Sequence, residues 1–178
     1  MATINQRELA RRLVRLRSAV DRNILCLNYG GCGVFAALAA KALKDLKIAE
    51  VEIILPDPWN DEHTPRSHVD AGNAVRHLSM GHVGVRYILD GVTYCMDSTR
   101  VRAGAYKFGR PESDRARLDL NRNGAHEVKV SYPFGQGLTL AEFAPVAFSP
   151  KGWNRSFDRA QIPLLRSLVT AYLVHDAV

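Results

Sequence analysis

Leu9, Leu13, Leu16 and Val20 recur every three or four residues through 5–21, with arginines over much of the remaining surface, and this spacing predicts an amphipathic helix packed by one face. The alanine-rich stretch that follows predicts a second helix over 34–47. Val51 to Leu55 reads as a short strand, stopped by Pro56-Asp57-Pro58, which permits neither helix nor sheet pairing. Residues 56–80 are rich in Pro, Asp, His, Ser and Asn, with scattered apolar positions such as Val69, Val75 and Leu78. That is the pattern of a long loop that shapes a site or stays disordered. Alternation returns over 82–99 around Asp90-Gly91, a strong hairpin signal. Residues 100–125 are polar and arginine-rich, and Val128 to Phe134 gives a further strand. Helices are expected near 139–147 and 159–174, around the segment Gly152-Trp153-Asn154-Arg155-Ser156-Phe157-Asp158. Helices and strands are segregated along the chain, so the predicted class is α+β with a largely antiparallel sheet.

The hairpin fixes a register. With Asp90 and Gly91 as turn residues, Leu89 faces Val92, Tyr87 faces Tyr94, Val85 faces Met96, Gly84 faces Asp97 and His82 faces Thr99. Val83, Val85, Tyr87 and Leu89 then share an apolar face with Val92, Tyr94 and Met96. His82, Gly84, Arg86, Cys95, Asp97 and Thr99 lie on the other side. His82 and Asp97 become diagonal neighbours, about 7–8 Å apart at the backbone, within reach of an imidazole–carboxylate contact. Gly84, opposite Asp97, leaves the space between them clear.

Composition narrows the class without deciding the chemistry. The chain has 178 residues, 47% of them hydrophobic and 24% charged, which fits a single domain over 1–178 with a real core. No apolar run approaches the ~20 residues that cross a bilayer, and no secretory leader pattern opens the sequence; a cytoplasmic protein with no membrane association is expected. The net charge of +6 is concentrated in Arg11, Arg12, Arg15, Arg17 and Arg22, and again over 100–122. The second stretch, with Arg110, Arg115 and Arg117, would suit an acidic partner. Neither stretch carries a recognisable reading motif, which disfavours nucleic acid. His63, His68, His77 and His82 are five or nine residues apart, not the spacing of a helix-borne zinc pair, so no metal site is expected.

The chemistry sits in Asn28-Tyr-Gly-Gly-Cys32-Gly, directly before the alanine-rich helix. Three cysteines in no framework spacing argue for reduced thiols. Cys26 and Cys95 lie inside apolar runs and read as packing residues. Cys32 falls at a helix N-terminus, where unpaired amides and the positive end of the helix dipole stabilise an anionic sulfur. Gly30, Gly31 and Gly33 remove bulk around it, so a substrate backbone could approach. Amides at the same terminus aim where an oxyanion would form, and the Asn28 side chain offers a further donor. The expected site is therefore Cys32, His82 and Asp97, with Asn28, Gly31 and Gly33 on the oxyanion and substrate side.

A Cys opening a helix, then a His at the start of a strand, then an Asp on the next strand resembles the papain-like superfamily, including its NlpC/P60 and transglutaminase-like branches. Gly-Gly-Cys32-Gly before Ala-Ala-Leu-Ala-Ala is similar to the first motif of that superfamily. His82-Val-Gly-Val-Arg-Tyr and Tyr94-Cys-Met-Asp97-Ser-Thr are similar to the second and third. The likeness covers roughly residues 25–100. The Gly-Trp-Asn…Phe-Asp-Arg pattern of 152–159 also resembles small bacteriophage proteins of this superfamily, which would place the chain in a host cytoplasm. Asn28 stands where these peptidases usually carry Gln. The resemblance implies a papain-like fold and a cofactor-free cysteine peptidase or amidase acting on a peptide or protein. The same triad would also serve a transglutaminase-type acyl transfer. The contrasting expectation is a non-catalytic protein that binds through its basic loop.

Overall fold

A computed structural model of the chain describes residues 4–54, 83–98, 106–107, 117–118, 137–149 and 157–176, with backbone alone at 28–29, 92–93, 95, 106–107 and 117–118. The first helix, α1 (Gln6–Asn23), is opened by the Asn5 side chain, which accepts the Glu8 amide at 2.9 Å. Its Leu9, Leu13, Leu16 and Val20 are buried, as their spacing predicts. The polar side of α1 is not an open cationic surface. Arg11 and Arg12 pair with Glu8, and Arg11 and Arg15 hold Asp176; Arg12 also donates to the Leu173 carbonyl at 2.7 Å. Arg17 is buried. Most of the first basic stretch is thus spent holding the C-terminal turn against α1.

The second helix, α2 (Cys32–Asp45), starts two residues earlier than the alanine pattern predicts. Val34 to Ala40 are buried without interruption, so these two turns of the helix are enclosed on all sides, while Lys41, Lys44 and Asp45 of its last turn are exposed. Its alanines let neighbours approach closely: the sheet lies on one side, and the C-terminal helices on others. Lys47, in the left-handed region at φ 63°, turns the chain out of α2.

Three antiparallel strands, β1 (Ala49–Ile54), β2 (Gly84–Leu89) and β3 (Val92–Asp97), form the main sheet with β2 in the centre. The β2–β3 register is the one the Asp90-Gly91 turn predicts, from Leu89–Val92 through Tyr87–Tyr94 and Val85–Met96 to Gly84–Asp97. Both turn residues have positive φ, 53° and 75°, as a two-residue hairpin of this twist requires. Val83, Val85, Tyr87, Leu89, Tyr94 and Met96 are buried, and the two tyrosine rings stack with centroids 5.6 Å apart. On the other face Arg86 pairs with Glu52 of β1. A register shift between Ala49 and Glu52 interrupts the β1–β2 ladder, with Glu50 at φ 50°.

Leu138 exchanges two 2.8 Å backbone bonds with Ile53, docking the chain on the free edge of β1 before α3 (Leu140–Ala147). Thr139 and Glu142 form a capping box there. The helix expected over 159–174 is divided into a 3-10 turn (Arg159–Gln161), α4 (Ile162–Val169) and a π-helical turn (Thr170–Val174). A short antiparallel pair, β4 (Tyr106–Lys107) with β5 (Arg117–Leu118), occurs where the arginine-rich pattern predicts no element. The class is α+β, with helices on a small antiparallel sheet. The loop expected at 56–80 and the strand expected at Val128 to Phe134 lie outside the described residues, as does most of the basic segment 100–122. Among the described residues no helix is long and apolar enough to cross a membrane.

Candidate active site

Cys32 is the first residue of α2, and the N-cap residue, Gly31, has no side chain to cap that terminus. The chain arrives through one π-helical turn, Leu27–Gly31, entered from Cys26 in the left-handed region at φ 56°. Gly30, at φ 109°, is the residue of this turn whose backbone demands glycine.

The glycines on either side of Cys32 do something other than clear room for a substrate. A Cβ at Gly31 would lie 2.8 Å from two ring carbons of Phe157 and 2.9 Å from Leu27 Cδ1. One at Gly33 would lie 3.4 Å from the Phe143 ring edge and 3.9 Å from Val83 Cγ2. Both glycines are buried, and so are both phenylalanines, while Cys32 between them is partly exposed. The expectation that Gly31 and Gly33 admit a substrate backbone is corrected on this point. The missing side chain of Gly31 lets the Phe157 ring seat against the backbone before the cysteine, while Phe143 packs beside Gly33 at a distance that an alanine would also allow. Neither ring carries a periodic signal in the sequence that would assign it to this place; Phe157 belongs to the tail segment 152–159 and Phe143 to an ordinary apolar helix position.

Cys26 is exposed rather than packed, because its left-handed backbone turns the chain away from the core. Its place in an apolar run is not enough to bury it when that run is bent. Cys95 lies opposite Arg86 in the ladder, and its side chain is outside the described residues.

Asp97 ends β3 opposite Gly84 and is 3% exposed, with Ser98 beside it equally buried. A carboxylate so buried is stable only where hydrogen bonds or a cation hold it. A Cβ at Gly84 would come within 3.1 Å of the Met96 carbonyl oxygen and 3.3 Å of Ile54 Cγ1, so the glycine fits a close backbone approach. Ile54, Gly84 and Asp97 stand in register on the face away from α2, since Ile53, Val85 and Met96 belong to the core on the near face.

Cys32 and Asp97 are linked by a short path: Gly33 lies near Val83, and Val83 leads into Gly84, opposite Asp97. His82, the residue before Val83, and the Asn28 side chain lie outside the described residues. Of the expected triad, the structure therefore describes Cys32 and Asp97. Among the described residues, no three His, Cys, Asp or Glu side chains gather as metal ligands would. No protein-family model matches the chain, and comparison with curated proteins and with solved structures finds no significant match.

Proposed function

We propose that the chain is a papain-like cysteine hydrolase that cleaves an amide, peptide or isopeptide bond of a peptide or protein in the cytoplasm, with a phage-infected host cell as its setting. Cys32 is the nucleophile, His82 the general base and acid, and Asp97 the group that orients the imidazole. The observation that supports this reading best is the path Cys32–Gly33–Val83–Gly84–Asp97. Cys32 begins a helix on one side of the sheet, and Asp97 faces the other side. The sequence has a histidine, His82, at the entry to β2, one residue before Val83.

In this mechanism the Cys32 sulfur attacks the carbonyl carbon while its proton passes to His82. The oxyanion of the tetrahedral intermediate is held by the Cys32 amide and the Asn28 side chain. Collapse expels the amine, which takes the proton from His82 and leaves a thioester on Cys32. Water, deprotonated by His82, then attacks the thioester and releases the acid. An amine in place of that water makes the same site an acyl transferase.

An activated acyl ester tests the reading without knowledge of the substrate. With p-nitrophenyl acetate, the thiol should displace nitrophenolate and carry the acetyl group, located by peptide mass mapping to Cys32, with turnover as the thioester hydrolyses. Cys32→Ala should abolish this reaction, and His82→Ala should slow it by two or more orders of magnitude, as expected for loss of a general base on the order of 10²–10⁴-fold. Acetylation confined to lysines, equal in wild type and Cys32→Ala, would overturn the assignment.

A further inference from the structure

We infer that residues 157–161 form a brace that sets the position of the cysteine loop, with Gln161 and Phe157 as positioning residues for Cys32; this rests on Cys32 being the nucleophile proposed above. The brace touches the loop at two points. Phe157 seats against Gly31, the residue before Cys32, closely enough that any Cβ there would collide with its ring. Four residues on, the Gln161 side chain grips the backbone of Leu25: its Oε1 accepts the Leu25 amide at 2.7 Å, and its Nε2 donates to the Leu25 carbonyl at 3.3 Å. The amide thus pairs with Leu25 as a neighbouring strand would, just before the left-handed bend at Cys26.

The brace is itself anchored. Asp158 opens the 3-10 turn by accepting the Ala160 amide at 2.9 Å. Arg159 donates to the Phe148 and Ser149 carbonyls, tying the turn to the end of α3. Leu165 and Val169 bury the following helix in the core. The loop at 24–31 has an irregular backbone, with a left-handed residue, a positive-φ glycine and a π-helical turn, so its path to Cys32 is not that of a continuous α-helix or strand. Gripping it at both ends from one rigid segment gives the cysteine a defined position.

The test compares Gln161→Ala and Gln161→Glu in the full chain, using the rate of Cys32 acylation by p-nitrophenyl acetate and the thermal midpoint. Gln161→Ala should slow Cys32 acylation about tenfold or more, since a misplacement on the order of 1 Å can cost a hundredfold, while the midpoint falls by less than about 4 °C. Gln161→Glu keeps the acceptor for the Leu25 amide and should recover most of the rate. A role limited to stability would move the midpoint and leave the rate alone. Equal rates in wild type and Gln161→Ala overturn the brace and leave the nucleophile standing. A wild-type Cys32 that is not acylated overturns both.

Discussion

Replacing Gly31 by alanine isolates the contact that holds the cysteine loop against the core. Gly31 has φ −91° and ψ −7°, a conformation any residue accepts, so the backbone alone would gain about 0.4–1 kcal/mol from the change. The new Cβ would stand 2.8 Å from Cγ and Cδ2 of Phe157. Turning the ring about χ2 leaves Cγ where it is, and a change of χ1 would lift the buried ring out of its seat, so relief requires that the ring be unseated or that the 157–161 segment or the loop move. Overpacking of this kind costs about 1–3 kcal/mol. The net expectation is a loss of about 1–2 kcal/mol, or about 2–8 °C in the thermal midpoint of a chain this long. Gly33→Ala is the control of opposite sign, because its Cβ would meet Phe143 at 3.4 Å, an ordinary contact, and the backbone gain remains. Melts of the two variants followed by circular dichroism should therefore shift in opposite directions. Adding Phe157→Leu to Gly31→Ala should cost about 1 kcal/mol less than the two single changes together. A Gly31→Ala protein that melts at or above wild type would refute the seating of Phe157 against this glycine.

Three further outcomes follow from the same geometry. Gly84→Ala should lower the urea midpoint by the equivalent of about 1–3 kcal/mol, because the Met96 carbonyl at 3.1 Å from the new Cβ is a backbone atom that cannot yield without bending the ladder; an unchanged midpoint would mean that β2 and β3 are paired differently. Gly91→Ala meets nothing within 4 Å, yet at φ 75° it should cost about 1 kcal/mol through backbone strain alone, whereas Asp90→Asn at φ 53° should be nearly neutral in the same melt. Hydrogen bonds from Arg11 and Arg12 lower the Glu8 carboxyl to about 2 from its ordinary 4.5, so its stabilisation is complete above about 4.5 and is lost as the pH falls toward 2. Glu8 is partly exposed and screened, so the effect should be under about 1 kcal/mol; the difference in midpoint between wild type and Glu8→Gln should shrink over that window, and a constant difference would contradict the linkage.

The hairpin was legible residue by residue because Asp90-Gly91 admits few turn geometries and alternation then leaves one register that buries Val85, Tyr87, Tyr94 and Met96. The first helix was legible for a similar reason, since a single face of leucines has one way to pack. The alanine-rich helix showed its existence but not its centrality: alanine is equally good at a surface and inside, and only the packing of sheet and helices around it reveals why Ala36, Ala37, Ala39 and Ala40 are all buried. Gly31 and Gly33 read as openings because a sequence shows a missing side chain but not what fills the space. The fillers, Phe157 and Phe143, come from more than a hundred residues away. Cys26 misled for the complementary reason, because an apolar run implies burial only where the chain continues straight, and here a left-handed residue bends it.

A nucleophilic Cys32 must be chemically distinct from an ordinary accessible thiol, and Cys26 supplies that ordinary thiol within the same chain. A limiting dose of iodoacetamide at neutral pH, followed by mass mapping of each cysteine, compares them directly. Cys26 is exposed and Cys32 only partly so, and access alone would favour Cys26. A Cys32 activated by His82 gives the reverse: Cys32 is alkylated first, the preference disappears in denaturant, and His82→Ala removes most of it. Cys26 reacting ahead of Cys32, or both reacting equally, in the folded protein would contradict the account.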